Sequence, residues 1–122
     1  MSSAVDLNTR FGGGGRNPSE KDMAEAIREV FHEDHPSLVE GDYAEHPNSW
    51  LSFGFQAGDK WTVHVLDLYR SGRLIFSKFD DQDDAEPAFE RTMPGVTEPE
   101  ALRLWSLLAS GNIEALMRED WK

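Results

Sequence analysis

At 122 residues the chain has the length of one domain, and with no cysteine it holds no disulfide, Cys-ligated zinc, iron–sulfur cluster or thiol nucleophile. Its 39% hydrophobic content, with four Trp and seven Phe, supports a core burying roughly two-thirds of the unfolded surface, and no run reaches the ~18 apolar residues of a membrane-spanning helix. The 23 acidic residues against 12 basic give a net charge of −11, a field that repels phosphate backbones and anionic membranes and draws in a basic protein.

Residues 1–17 read as an arm, in which Val5, Leu7 and Phe11 form a short edge strand and Gly12 to Gly15 a hinge. The glycines make no phosphate loop, because no Gly-Lys-Ser/Thr follows and no G-x-G-x-x-G spacing joins a strand to a helix. Nor does a basic stretch lead into an apolar one before residue 16, so no secretory signal is expected and the cytoplasm is the expected compartment. Asn17-Pro18-Ser19-Glu20 starts a helix over 18–34, with Asn17 or Ser19 as its cap and Met23, Ile27, Val30 and Phe31 as its apolar stripe. Pro36 stops it, and 38–49 is a polar, turn-rich connection.

Residues 50–79 read as an antiparallel meander of Trp50 to Gln56, Lys60 to Arg70 and Arg73 to Phe79, turning at Gly58-Asp59 and Ser71-Gly72. Two-residue turns would pair 56 with 61, 50 with 67, 69 with 74 and 67 with 76, which sorts the side chains between two faces. Leu51, Phe53, Phe55, His64, Leu66, Leu68, Ile75 and Phe79 then share an apolar face suited to packing on helices. The opposite face collects Trp50, Ser52, Gly54, Gln56, Trp61, Val63, Val65, Asp67, Tyr69, Leu74, Phe76 and Lys78. Its mixture of aromatic and polar groups is that of a protein interface, and Trp50, Trp61, Asp67 and Tyr69 are the candidate partner-binding residues. The competing expectation is that the arm or the last helix covers this face.

Residues 80–96 form an acidic loop, and Asp80, Asp81, Asp83 and Asp84 are placed at the rim of the binding face. Thr97 and Glu100 have capping-box spacing, and the helix that follows, Glu98 to Ser110, is apolar almost all round, so Trp105 is expected in the core. Gly111 ends it, and Asn112 caps a last helix with Ile113, Leu116 and Met117 on one face, completing C-terminal helices over 97–122. The expected fold class is therefore α+β: a three- or four-stranded antiparallel meander with an N-terminal helix and two C-terminal helices packed mainly on one face.

Nothing in the residue spacing assembles a catalyst. His32, His35, His46 and His64 lack the H-E-x-x-H spacing of a zinc protease, and no G-x-S-x-G elbow occurs. An EF-hand starting at Asp81 would place Ala85 at position 5 and Glu86 at position 6; one starting at Asp80 would place Ala85 at position 6 and Arg91 at position 12. No catalytic residue, cofactor or metal is assigned, and the chain reads as a binding protein rather than an enzyme. The alternative, from another class, is a small-molecule-binding or enzymatic domain using the carboxylates of sheet and loop.

Glu45-His46-Pro47-Asn48-Ser49-Trp50-Leu51, then Gly54, Trp61, Asp67-Leu68-Tyr69-Arg70-Ser71-Gly72 and Asp80 to Asp84, resembles the small immunity proteins of bacterial polymorphic-toxin and contact-dependent inhibition systems. The resemblance spans residues 45–84. It implies a compact, acidic, cytosolic protein that binds and neutralises a toxin domain delivered by a neighbouring cell. It carries over no family functional residue.

Overall fold

The computed structural model describes residues 3–9, 14–32 and 48–121. Strand β1 (Ser3–Asn8) turns into the short β2 (Gly14–Arg16), and helix α1 (Glu20–His32) follows. Then come β3 (Asn48–Ala57), β4 (Lys60–Tyr69), β5 (Leu74–Phe79) and β6 (Phe89–Met93), and the helices α2 (Glu98–Ala109) and α3 (Ile113–Met117). The six strands form one antiparallel sheet in the order β2-β1-β3-β4-β5-β6. The fold is thus α+β as expected, with more strands than the three or four read from the sequence. The arm adds β1 and β2 to the sheet, with β2 rather than β1 at the edge, and β6 forms within the span read as acidic loop. Phe11, Gly12, Gly13, His35, Pro36 and the 38–47 connection with His46 lie outside the described residues, as do residues 33 and 34 of the expected helix.

Capping fixes where the helices begin. Ser19, not Asn17, caps α1: its Oγ accepts the Asp22 N–H at 3.1 Å, and the Asp22 carboxylate accepts the Ser19 N–H at 3.0 Å. Those hydrogen bonds hold the Asp22 carboxyl below its ordinary range. Asn17 instead adopts a positive φ of 54°, and its N–H donates to Val5 O at 2.7 Å, which turns the chain from sheet to helix. Thr97 caps α2, accepting the Glu100 N–H, as the spacing predicts. The His32 ring in the last turn of α1 meets the Glu98 carboxylate in the first turn of α2, which joins the two helix ends.

Met23, Ala26, Ile27 and Val30 of α1 and Ala101, Leu104, Trp105 and Leu108 of α2 are buried with Leu51, Leu66, Leu68, Leu74 and Phe76 of the sheet. Leu116 of α3 joins this core, and the Trp121 ring packs 5.3 Å from that of Phe76. Met117, expected on the apolar face of α3, is 48% exposed, because one turn of helix buries only Leu116 fully. The helices therefore share one side of the sheet. The last helix does not cover the other side, and the described part of the arm extends the sheet instead of crossing it.

The β3–β4 turn is the expected two-residue hairpin, with Ala57 opposite Lys60, Gln56 opposite Trp61 and Trp50 opposite Asp67. The β4–β5 turn is not. Gly72 N–H donates to Tyr69 O, Tyr69 N–H donates to Arg73 O, and Gly72 takes a φ of +87°, giving a three-residue loop. Leu68 thus faces Leu74 and Asp67 faces Ile75, one residue off the sequence reading. A slip of one exchanges every side chain of the strand between faces. Leu74 and Phe76 consequently point into the core and are fully buried, Lys78 moves to the same side, and Ile75, Ser77 and Phe79 move to the other.

Candidate functional site

Strand alternation builds the site. Along β4, Thr62, His64, Leu66 and Leu68 are buried under the helices, while Trp61, Val63, Val65, Asp67 and Tyr69 on the other side are half-buried. Register sets their neighbours: Asp67 lies between Trp50 and Ile75, Val65 between Ser52 and Ser77, and Val63 between Gly54 and Phe79. This outer face carries no helix among the described residues.

Trp50, Trp61, Asp67 and Tyr69 do share this face, in three different settings. Asp67 is held by its neighbours: Asn48 Nδ2 donates to Oδ1 at 3.1 Å and the Tyr69 hydroxyl donates to Oδ2 at 3.0 Å. The Arg73 guanidinium lies 4.5 Å from the centre of the Tyr69 ring, a cation–π contact at the same end of the sheet. Trp61 packs its indole against Gly54. Trp50, 36% exposed, is the most open aromatic of the face.

Between these ends is a shallow hollow of about 310 Å³, lined by Trp50, Ser52, Val63, Val65, Phe79, Gln82 and Asp84. The loop after β5 forms its rim and is tied to the sheet. Gln82 N–H donates to Trp61 O at 2.8 Å, and Thr62 Oγ1 donates to Asp80 O at 2.9 Å. Asp84 closes a turn on Asp81: its N–H donates to Asp81 O at 2.9 Å and its Oδ2 accepts the Asp81 N–H at 3.1 Å. Asp80 pairs with Lys78 at 3.4 Å. Asp84 therefore reaches the hollow, while the Asp81 and Asp83 carboxylates take no part in these bonds. Phe79 and Gln82 were missed by sequence reasoning: the two-residue turn assigned Phe79 to the core, and nothing in the sequence ties Gln82 to β4.

His64 lies outside the site, in the core face, stacked between Phe55 and Phe76 with ring centres 6.0 Å apart on each side. Burial, reinforced by the Lys78 charge, pushes its pKa down to about 4, so the ring is neutral at neutral pH. Among the described residues no cluster of three or more His, Asp or Glu is placed to hold a metal ion. What the hollow offers is apolar and aromatic contact area beside the oriented Asp84 carboxylate and the Gln82 amide.

An α+β domain with helices on one side of an antiparallel sheet and an aromatic, acid-rimmed opposite face is the class these elements define. No protein-family model, no curated protein and no solved structure matches the chain.

Proposed function

We propose that this protein acts by binding a basic protein partner on the outer face of its sheet, and that the partner is a toxin domain neutralised by stoichiometric association. The observation that carries the reading is the pairing of an aromatic-bearing sheet face, on which no helix lies among the described residues, with a rim of aspartates. Aromatic side chains dominate binding hot spots, and here Trp50 and Phe79 line a hollow that an incoming side chain can enter. The net charge of −11 accelerates encounter with a basic surface, and six acids without a base between Asp80 and Glu90 concentrate that field at the rim. The toxin assignment rests on the resemblance of residues 45–84 to small immunity proteins.

Co-expression with the product of the adjacent gene tests this. The expected result is a one-to-one complex on size exclusion together with relief of growth arrest caused by that product alone. Separate elution with persistent arrest overturns it.

A further inference from the structure

We propose that the hollow between Trp50, Val63, Val65, Phe79, Gln82 and Asp84 is the seat of one basic side chain of the partner, an arginine or a lysine. The inference rests on the partner-binding reading and specifies the chemistry of its anchor. The floor is mainly aliphatic and aromatic with the Ser52 hydroxyl among it, and among the described residues Asp84 is the only charged one in the lining. A long methylene stem with a cation at its tip matches that division: the stem covers the valines and rings while the head meets the carboxylate. A wholly apolar anchor would strip water from Asp84 without replacing it, and an acidic one would be repelled.

The carboxylate is set in advance. The Asp81 N–H on Oδ2 orients it, and the loop carrying it is pinned at Gln82 and Asp80 to β4, so little ordering remains to be done on binding. Lys78 and Arg91 are engaged elsewhere: Lys78 pairs with Asp80, and the Arg91 guanidinium lies 5.4 Å from the centre of the Phe89 ring, over a side chain of the helix-covered face.

Titration of the isotope-labelled protein with n-butylguanidinium or n-butylammonium, followed by amide and indole NMR shifts, tests the proposal without a partner. Saturable shifts are expected at Trp50, Val63, Val65 and Phe79 with one or both cations, and the tighter cation tells which residue anchors the partner. Butyrate and butylurea should give none. Asp84→Asn should weaken the cation on the order of fivefold, the scale of one exposed charge pair, and Val65→Thr should weaken it while leaving the spectrum folded. Cation shifts spread evenly over the acidic surface, or indifference to Asp84→Asn, overturn the proposal. So do shifts in the hollow that vary with protein concentration alone, which assign it to a second copy of the chain. Because the co-expressed complex is measured separately, an empty hollow in a protein that still binds its partner refutes the anchor alone.

Discussion

The indole of Trp61 lies across Gly54 so closely that a Cβ on Gly54 would overlap Trp61 Nε1 and stand 2.8 Å from Cε2. Glycine weakens a strand interior, and here the weakness is offset by a ring that covers the bare backbone. The contact also fixes Trp61 at the hairpin end of the outer face, beside the carbonyl that holds Gln82. Gly54→Ala should cost about 1–3 kcal/mol, the range of overpacking in a filled site. In a Trp61→Ala background the same change should cost much less, because the obstacle is gone. Denaturant unfolding of the four proteins measures the coupling; additive costs would show that ring and glycine do not meet.

Steering by the rim is the second prediction. Asp80 and Asp84 are occupied in bonds that shape the loop, so Asp81→Asn with Asp83→Asn removes charge with the least disturbance. Association with the co-expressed partner should slow and lose part of its salt dependence, while the melting temperature holds. Stopped-flow rates at low and high salt check this, and an unchanged low-salt rate excludes the loop as the steering element.

The corrected register makes a stability prediction of its own. Trp105 and Phe76 are both fully buried, whereas Phe79 lines the outer hollow. Trp105→Ala and Phe76→Ala should each cost about 3–5 kcal/mol, the usual penalty for truncating a core aromatic. Phe79→Ala should cost clearly less and act on binding instead. If Phe79→Ala unfolds the protein and Phe76→Ala does not, the two-residue turn is restored and the faces exchange.

His64 predicts a pH dependence. Its pKa falls from 6.5 in the unfolded chain to about 4 when folded, so between those values the unfolded state binds more protons. Stability therefore declines as pH drops from 6.5 towards 4, by up to about 3 kcal/mol. The lowered carboxyls of Asp22, bonded to Ser19, and Glu119, bonded to Arg103, add a further loss as pH falls below their ordinary values of 3.8 and 4.5, where the unfolded chain takes up the protons first. His64→Leu should flatten the curve between its ordinary value of 6.5 and the onset of carboxyl protonation; an equally steep curve in the variant would show that His64 is not its source.

The helices and the first hairpin were legible because local signals decide them. The Thr97 and Glu100 spacing, the stripe of Met23, Ile27 and Val30, and the Gly58-Asp59 turn each act within a few residues. Ser71-Gly72 failed because Gly72 suits a two-residue and a three-residue loop equally. Tertiary context separates them: a Cβ on Gly72 would come within 3.1 Å of Val96 O, and Val96 N–H donates to Gly72 O. That slip misplaced Phe76 and Phe79 but left Trp50, Trp61, Asp67 and Tyr69 together, since β3 and β4 meet at the other turn. β2 and β6 escaped notice because Gly14-Gly15-Arg16 and Phe89-Glu90-Arg91 carry no strand alternation; pairing with β1 and β5 is what orders them.

Binding of a basic partner on the outer face is tested most directly at Trp50, the exposed ring beside the hollow. We expect Trp50→Ala to raise the Kd of the co-expressed partner at least about tenfold, the loss of a hot-spot aromatic, with melting within a few degrees of the parent. Calorimetric titration of the two proteins supplies the number. An unchanged Kd with an intact fold would contradict the outer face as the binding surface.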